Sequence, residues 1–258
     1  MTPIPLIILT VPRMKNYLNR TLQSLFLSGF RESGMIGEVI VVTGAPDHSH
    51  LSSLDPDISQ DVTISVMPQE IADNAGLRTL SAKQKCAFGH YWWMRQILAS
   101  PGRPEYVVAC EDDVIFAKGW AEHLRSILPN IRPAGREPPI VTLYRPYIKD
   151  HTCDRSEERF RNGERWYEFS DHFWGTQAVV YPLEHLDPIS RHLYDFSIKT
   201  FTSPVDDAIG AYAWSHGIPT IATTPCLVNH IGEDTTGQSH CFHVADYFLE
   251  SVQNLPQP

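Results

Sequence analysis

The sequence predicts an α/β fold, a single domain built on a mostly parallel central sheet flanked by helices. Three observations carry that expectation. Short continuous apolar runs alternate with segments of helical period, and uninterrupted apolar runs mark strands buried on both faces. The 258 residues, 42% hydrophobic and 10% aromatic, suffice for one large core. No internal repeat, low-complexity tract or long linker divides the chain.

The elements follow in order. "PLIILTV" (Pro5 to Val11) reads as a strand stopped by Pro12, and Leu18, Leu22 and Leu25 then fall at i, i+4, i+7 of a helix. "EVIVVTGAP" (Glu38 to Pro46) and "VTISVMP" (Val62 to Pro68) repeat the strand signal with β-branched residues and turn-forming stops. In "LSAKQKCAFGHYWWMRQILAS", Ser81 is placed to cap a helix whose Ala82, Cys86, Trp93 and Ile97 share one face. "YVVACEDDVIFAKGW" (Tyr106 to Trp120) runs five residues of strand character into three carboxylates, Glu111, Asp112 and Asp113. A helix from about Gly119 to Leu128, a Pro-rich loop and the strand "IVTLYRP" come next. The segment 146–170 is the least core-like and reads as a hairpin or mobile loop over a site. "HFWGTQAVVYP" returns to strand, "SPVDDAIGAYAWSHG" looks like a capped helix, and "PTIATTPCLVNHIG" is a last strand before a polar tail.

The balance of 21 basic against 30 acidic residues, net −9, gives no general attraction to nucleic acid or anionic lipid, so neither is an expected partner. The five cysteines (Cys86, Cys110, Cys153, Cys226, Cys241) are scattered and lack a C-x-x-C pair, which argues against a disulfide framework and for a reducing, cytoplasmic compartment. The opening residues carry neither the basic start of a signal peptide nor a membrane-length apolar run.

Ligands of open α/β sheets bind beyond the carboxyl ends of strands, and Glu111, Asp112 and Asp113 stand at such an end. Three adjacent anions repel, so a cation would relieve them, and carboxylate oxygens suit Mn²⁺ or Mg²⁺. A solvated acidic turn is the competing reading, since charge clusters are most often surface. Asp206 and Asp207 fall in the first turn of a helix, where either serves as a general base or merely as cap and dipole partner. His230, after a buried strand, offers an imidazole to the same cation or is an ordinary hydrogen-bonded residue. Trp174 beside Gly175 reads as a sugar-stacking face with close approach, or as core. "SHCFH" (Ser239 to His243) lacks the usual spacing of zinc ligands. No dinucleotide fingerprint or P-loop motif occurs.

"LTVPRMKNYLNRTLQSL", "VIVVTG", "AKQKCAF", "EDDVIF", "FWGTQAVVY", "PVDDAI" and "PCLVNHIG", in this order from Leu9 to Gly232, resemble a GT-A glycosyltransferase. More narrowly, they are similar to the catalytic domain of the β-1,4-N-acetylglucosaminyltransferase IV family. The resemblance implies a Rossmann-like GT-A fold, a UDP-GlcNAc donor, a glycan or glycoconjugate acceptor, inversion at the anomeric carbon and Mn²⁺ or Mg²⁺. It implies that Asp113 binds the metal, that Glu111 and Asp112 lie near the ribose or metal waters, and that Thr10, Arg13, Lys83 and Gln84 line the donor side. Residues 1–115 would form the nucleotide-sugar half and 116–258 the acceptor half. "PVD" matches Asp206 to the family's catalytic Asp, whereas the broader GT-A pattern favours Asp207. The chain departs from the family at Asp207, where a bulky apolar residue is expected, and over 146–170. Three other readings stand beside this one: a retaining glycosyltransferase of the same fold, a metal-dependent nucleotidyltransferase or phosphohydrolase, and a catalytically inactive carbohydrate-binding module. Asp171 and His172 are the next candidates for a base.

Overall fold

A computed structural model describes residues 2–13, 15–132, 135–146, 156–169, 173, 175–200, 204–233 and 245–248. Its strands are β1 (Ile4–Thr10), β2 (Ile36–Thr43), β3 (Thr63–Ser65), β4 (Tyr106–Glu111), β5 (Val114–Phe116), β6 (Ile140–Thr142), β7 (Trp166–Phe169), β8 (Ala178–Pro182), β9 (Thr220–Thr223) and β10 (Val228–His230). Its helices are α1 (Leu18–Leu27), α2 (Pro56–Ser59), α3 (Gln69–Asn74), α4 (Ala82–Ala99), α5 (Trp120–Ile127), α6 (Ser156–Arg161), α7 (Leu183–Leu193) and α8 (Val205–Ser215). A π-helical segment, Tyr194–Thr200, extends α7. No described helix is long and apolar enough to cross a membrane.

The result is a single α/β domain with a mostly parallel sheet, as the apolar runs predict. Eight strands pair in the order β3-β2-β1-β4-β8-β6-β9-β7. Six run one way, because β4–β8, β8–β6 and β9–β7 are the antiparallel pairings and only β8 and β7 oppose the rest. Burial on both faces explains the continuous runs. Ile4, Leu6 and Ile8 pack with Leu18, Leu22 and Leu25 of α1 and Trp120 of α5, while Ile7 and Leu9 pack with Trp93 of α4 and Ile209 of α8 on the other side. The helices therefore cover two faces of one sheet. Trp93 and Ile97 are buried as expected on α4, but Ala82 is exposed and Cys86 half-buried, because α4 docks through its central and C-terminal turns.

Three expectations are corrected. The segment 146–170, expected as a hairpin or mobile loop, contains helix α6 (Ser156–Arg161) and edge strand β7 (Trp166–Phe169), the latter paired with β9 of the main sheet, with Tyr167 and Phe169 buried. Its charges deceive because they lie outside the core, in pairs such as Arg136–Glu168 (3.0 Å) and Arg159–Glu164 (2.7 Å). The last strand is two: β9 ends in the main sheet, and β10 pairs antiparallel with β5 in a separate two-stranded sheet. Finally, α8 starts behind Pro204 without a side-chain cap. Among the expected features, Trp174, Asp171, His172 and the "SHCFH" run lie outside the described residues.

Candidate functional site at the carboxyl ends of β1 and β4

The acidic triplet runs from the end of β4 through the tight turn into β5. Glu111 lies beside Thr176, whose hydroxyl donates to Glu111 Oε1 at 3.2 Å. Asp112 and Asp113 are each only 2% exposed, so the triplet is no solvated turn. Their backbone is clamped by α1. Thr21 Oγ1 donates to the Asp112 carbonyl (2.6 Å) and accepts from Val114 N (3.2 Å), and Ser24 Oγ accepts from Phe116 N (3.1 Å). These buried hydroxyls satisfy backbone groups that a turn inside the protein would otherwise leave orphaned.

The cation beside the triplet is internal. Arg13, on the loop that leaves β1, reaches Asp112 Oδ1 with Nη2 (2.8 Å) and Asp113 Oδ2 with Nη1, and its side chain is 9% exposed. The structure thus places Arg13 directly on the carboxylates. Burial opposes the guanidinium charge, but Asp112, Asp113 and Glu111 outweigh it and raise the Arg13 pKa further. Thr10 Oγ1 donates to Asp112 Oδ2 (2.5 Å) and lies 3.1 Å from His50 Nε2. Burial, partly offset by Arg13, pushes Asp112 up to about 6. Burial and then Asp113 push Glu111 up to about 7. Burial also pushes Asp113 up, but His230 and Arg13 prevail and hold it below the ordinary carboxylate range.

His230 arrives from β10, where its register partner is Val114, and its Nε2 stands 3.4 Å from Asp113 Oδ2. The chain after it is pinned by Ile231 N donating to the Asp113 carbonyl (2.8 Å). A Cβ on Gly232 would meet Asp113 Oδ2 at 2.3 Å and His230 Nε2 at 2.7 Å, so only glycine lets this backbone lie against the pair. The residues fit a divalent cation: Asp113 Oδ1 is buried without a hydrogen-bond partner among the described residues, with an imidazole nitrogen nearby. Among the described residues, Glu137, Glu184 and His185 also bring three potential ligand atoms within 4.8 Å of one another. That group is at the opposite pole, since Pro182 pairs with Tyr106 at the start of β4; both glutamates are exposed and His185 Nε2 is held at 2.9 Å from the Pro138 carbonyl.

Asp206 and Asp207 occupy the first turn of α8; Asp206 is half-buried, Asp207 exposed, and Asp207 N donates to Asp206 Oδ1 (3.1 Å). Burial pushes the Tyr181 hydroxyl up, and the charges of Glu111 and Asp206 add to the shift. Gln84, Lys83 and Gly175 lie on other segments of the chain. Gln84 forms a capping box with Ser81 and donates from Nε2 to the Ile198 carbonyl (2.8 Å), which ties α4 to the π-helical segment. Lys83 is half-buried in the first turn of the same helix. Gly175 has φ +114°, and a Cβ there would lie 2.6 Å from the Tyr144 carbonyl oxygen, so its close approach is to the protein's own backbone. His50, Thr21, Ser24 and Gly232 escaped sequence reasoning. His50, in the turn beyond β2, had a faint signal in its place after a strand end.

No protein-family model matches the chain and no curated protein does. The crystal structure of the galactosyltransferase LgtC in complex with donor and acceptor sugar analogs aligns over 81% of this chain and 70% of that one, with 9% identity and a TM-score of 0.46.

Proposed function

We propose that the chain is a metal-assisted, inverting GT-A glycosyltransferase that moves GlcNAc from UDP-GlcNAc to a hydroxyl of a glycan or glycoconjugate. The observation that carries the reading is the convergence of Asp112, Asp113, Arg13, His50 and His230 beyond β1 and β4; Asp206 stands at the head of α8. That end of an open α/β sheet is where ligands bind. Residues 1–115 supply the donor half in this reading, and 116–258 the acceptor half.

Asp113 and His230 would hold Mn²⁺ or Mg²⁺, which offsets charge building on a departing diphosphate. Arg13 presents a forked donor to phosphate oxygens, and the neutral His50 imidazole adds a polar contact next to Thr10. Asp206, the more buried of the two acids on α8, accepts the proton of the acceptor hydroxyl, while exposed Asp207 complements the helix dipole.

The test is a thermal-shift screen of nucleotide sugars with and without Mn²⁺, followed by NMR of the product anomer. UDP-GlcNAc should raise Tm with Mn²⁺, since binding to the native state alone stabilises by about 2.7 kcal/mol at a hundredfold excess over Kd. Transfer should release UDP and invert the anomer. Release of pyrophosphate or phosphate, or retention of configuration, overturns the assignment.

A further inference from the structure

The Arg13 guanidinium is buried and divided between two carboxylates, one nitrogen on each. Asp113 Oδ2 is thereby committed to Arg13, and only Oδ1 is left without a hydrogen-bond partner among the described residues. A divalent cation arriving alone would have to share that carboxylate with a charge of its own sign, at contact distance, and the two would repel. A diphosphate changes the balance, because its oxygens accept the guanidinium fork in the geometry a carboxylate offers and carry more charge. The segment bearing Arg13 is also tied across the site: Lys15 pairs with Glu233, one residue past Gly232, and Glu233 N donates to the Tyr17 hydroxyl (3.0 Å). Movement of Arg13 therefore takes place beside the backbone that packs on Asp113 and His230.

We propose that Arg13 is a donor-operated latch: it occupies the Asp112–Asp113 pair in the empty protein and passes to the diphosphate when donor binds, so that metal binding is conditional on the nucleotide. The inference rests on the proposed UDP-sugar and metal reading, and makes Arg13 a positioning residue that acts through Asp113. Conditional metal uptake keeps the buried carboxylates neutralised at every stage, first by Arg13 and then by the cation.

The experiment measures Mn²⁺ affinity by calorimetry or by the electron paramagnetic resonance of free Mn²⁺, with and without UDP, in the wild type, Arg13→Gln and Arg13→Lys. In the wild type UDP should tighten Mn²⁺ binding by about tenfold or more, the scale of an ordinary coupling between sites. Arg13→Gln should bind Mn²⁺ without UDP about tenfold more tightly than the wild type, and the coupling should shrink towards one. If the Gln variant folds poorly, Arg13→Lys decides: its ammonium lacks the rigid planar fork that sets one nitrogen on each carboxylate, so it should also take up Mn²⁺ alone more tightly than the wild type. UDP-coupled Mn²⁺ binding that neither variant alters overturns the latch and leaves the proposed function standing. UDP binding without any Mn²⁺ uptake overturns the latch and the metal together, and failure to bind UDP under any condition overturns the proposed function itself.

Discussion

At the scale of single residues, the site is decided by which acids find a partner inside the chain. Asp112 and Asp113 share Arg13, whereas Asp206 and Asp207 stand at a helix start with different exposure. A base must take up a substrate proton, and in the proposed reading half-buried Asp206 is better shielded from water for that than its exposed neighbour. Asp206→Asn should therefore lower kcat by about 10²-fold with donor affinity near wild type, while Asp207→Asn costs much less. Steady-state kinetics with a UDP-release assay would check this; the reverse ranking moves the role to Asp207. The triplet, the acid pair and His230 were legible because each stands at an element's end in the sequence. The Arg13 contacts were not, since a loop residue and acids about 100 positions away meet only through the parallel pairing of β1 with β4.

At the scale of elements, α1 does more than cover the sheet. Leu18, Leu22 and Leu25 bury one stripe, and Thr21, Ser24 and Ser28 form another whose hydroxyls serve the β4–β5 turn and the Trp120 indole. A hydrophobic periodicity count finds the first stripe and passes over the second. Thr21→Val keeps the shape but strands the Asp112 carbonyl and the Val114 amide, which should cost about 1–3 kcal/mol. Urea denaturation checks it: an unchanged midpoint would mean that water replaces the hydroxyl. Helix α7 has no counterpart among the elements expected from the sequence; Pro188 lies inside it, yet Leu186, Ile189 and Leu193 are fully buried. Packing of that face outweighs the lost backbone bond.

At the scale of the whole molecule, burial of polar groups sets opposing responses to acid. Glu111, raised to about 7 by burial and then by Asp113, binds a proton more readily folded than unfolded and so favours the native state as pH falls. His90 acts in the other direction. It lies 3% exposed on α4, accepts from Trp93 Nε1 at Nδ1 (3.3 Å), and its Nε2 has no hydrogen-bond partner among the described residues. Burial pushes it down to about 4 from the ordinary 6.5, so the unfolded chain binds the extra proton between those values. Its contribution is therefore intact above 6.5 and is lost as pH falls towards 4. Between pH 6.5 and about 5 the loss should be about 1.5 kcal/mol, on the linkage of 1.36 kcal/mol per pKa unit. His90→Gln retains an acceptor for Trp93 and cannot titrate. Urea midpoints of both proteins at the two pH values isolate the histidine, because Glu111 and every other group are common to both. The wild type should lose stability relative to His90→Gln on acidification, and parallel profiles would mean that His90 is reached by water in the native state.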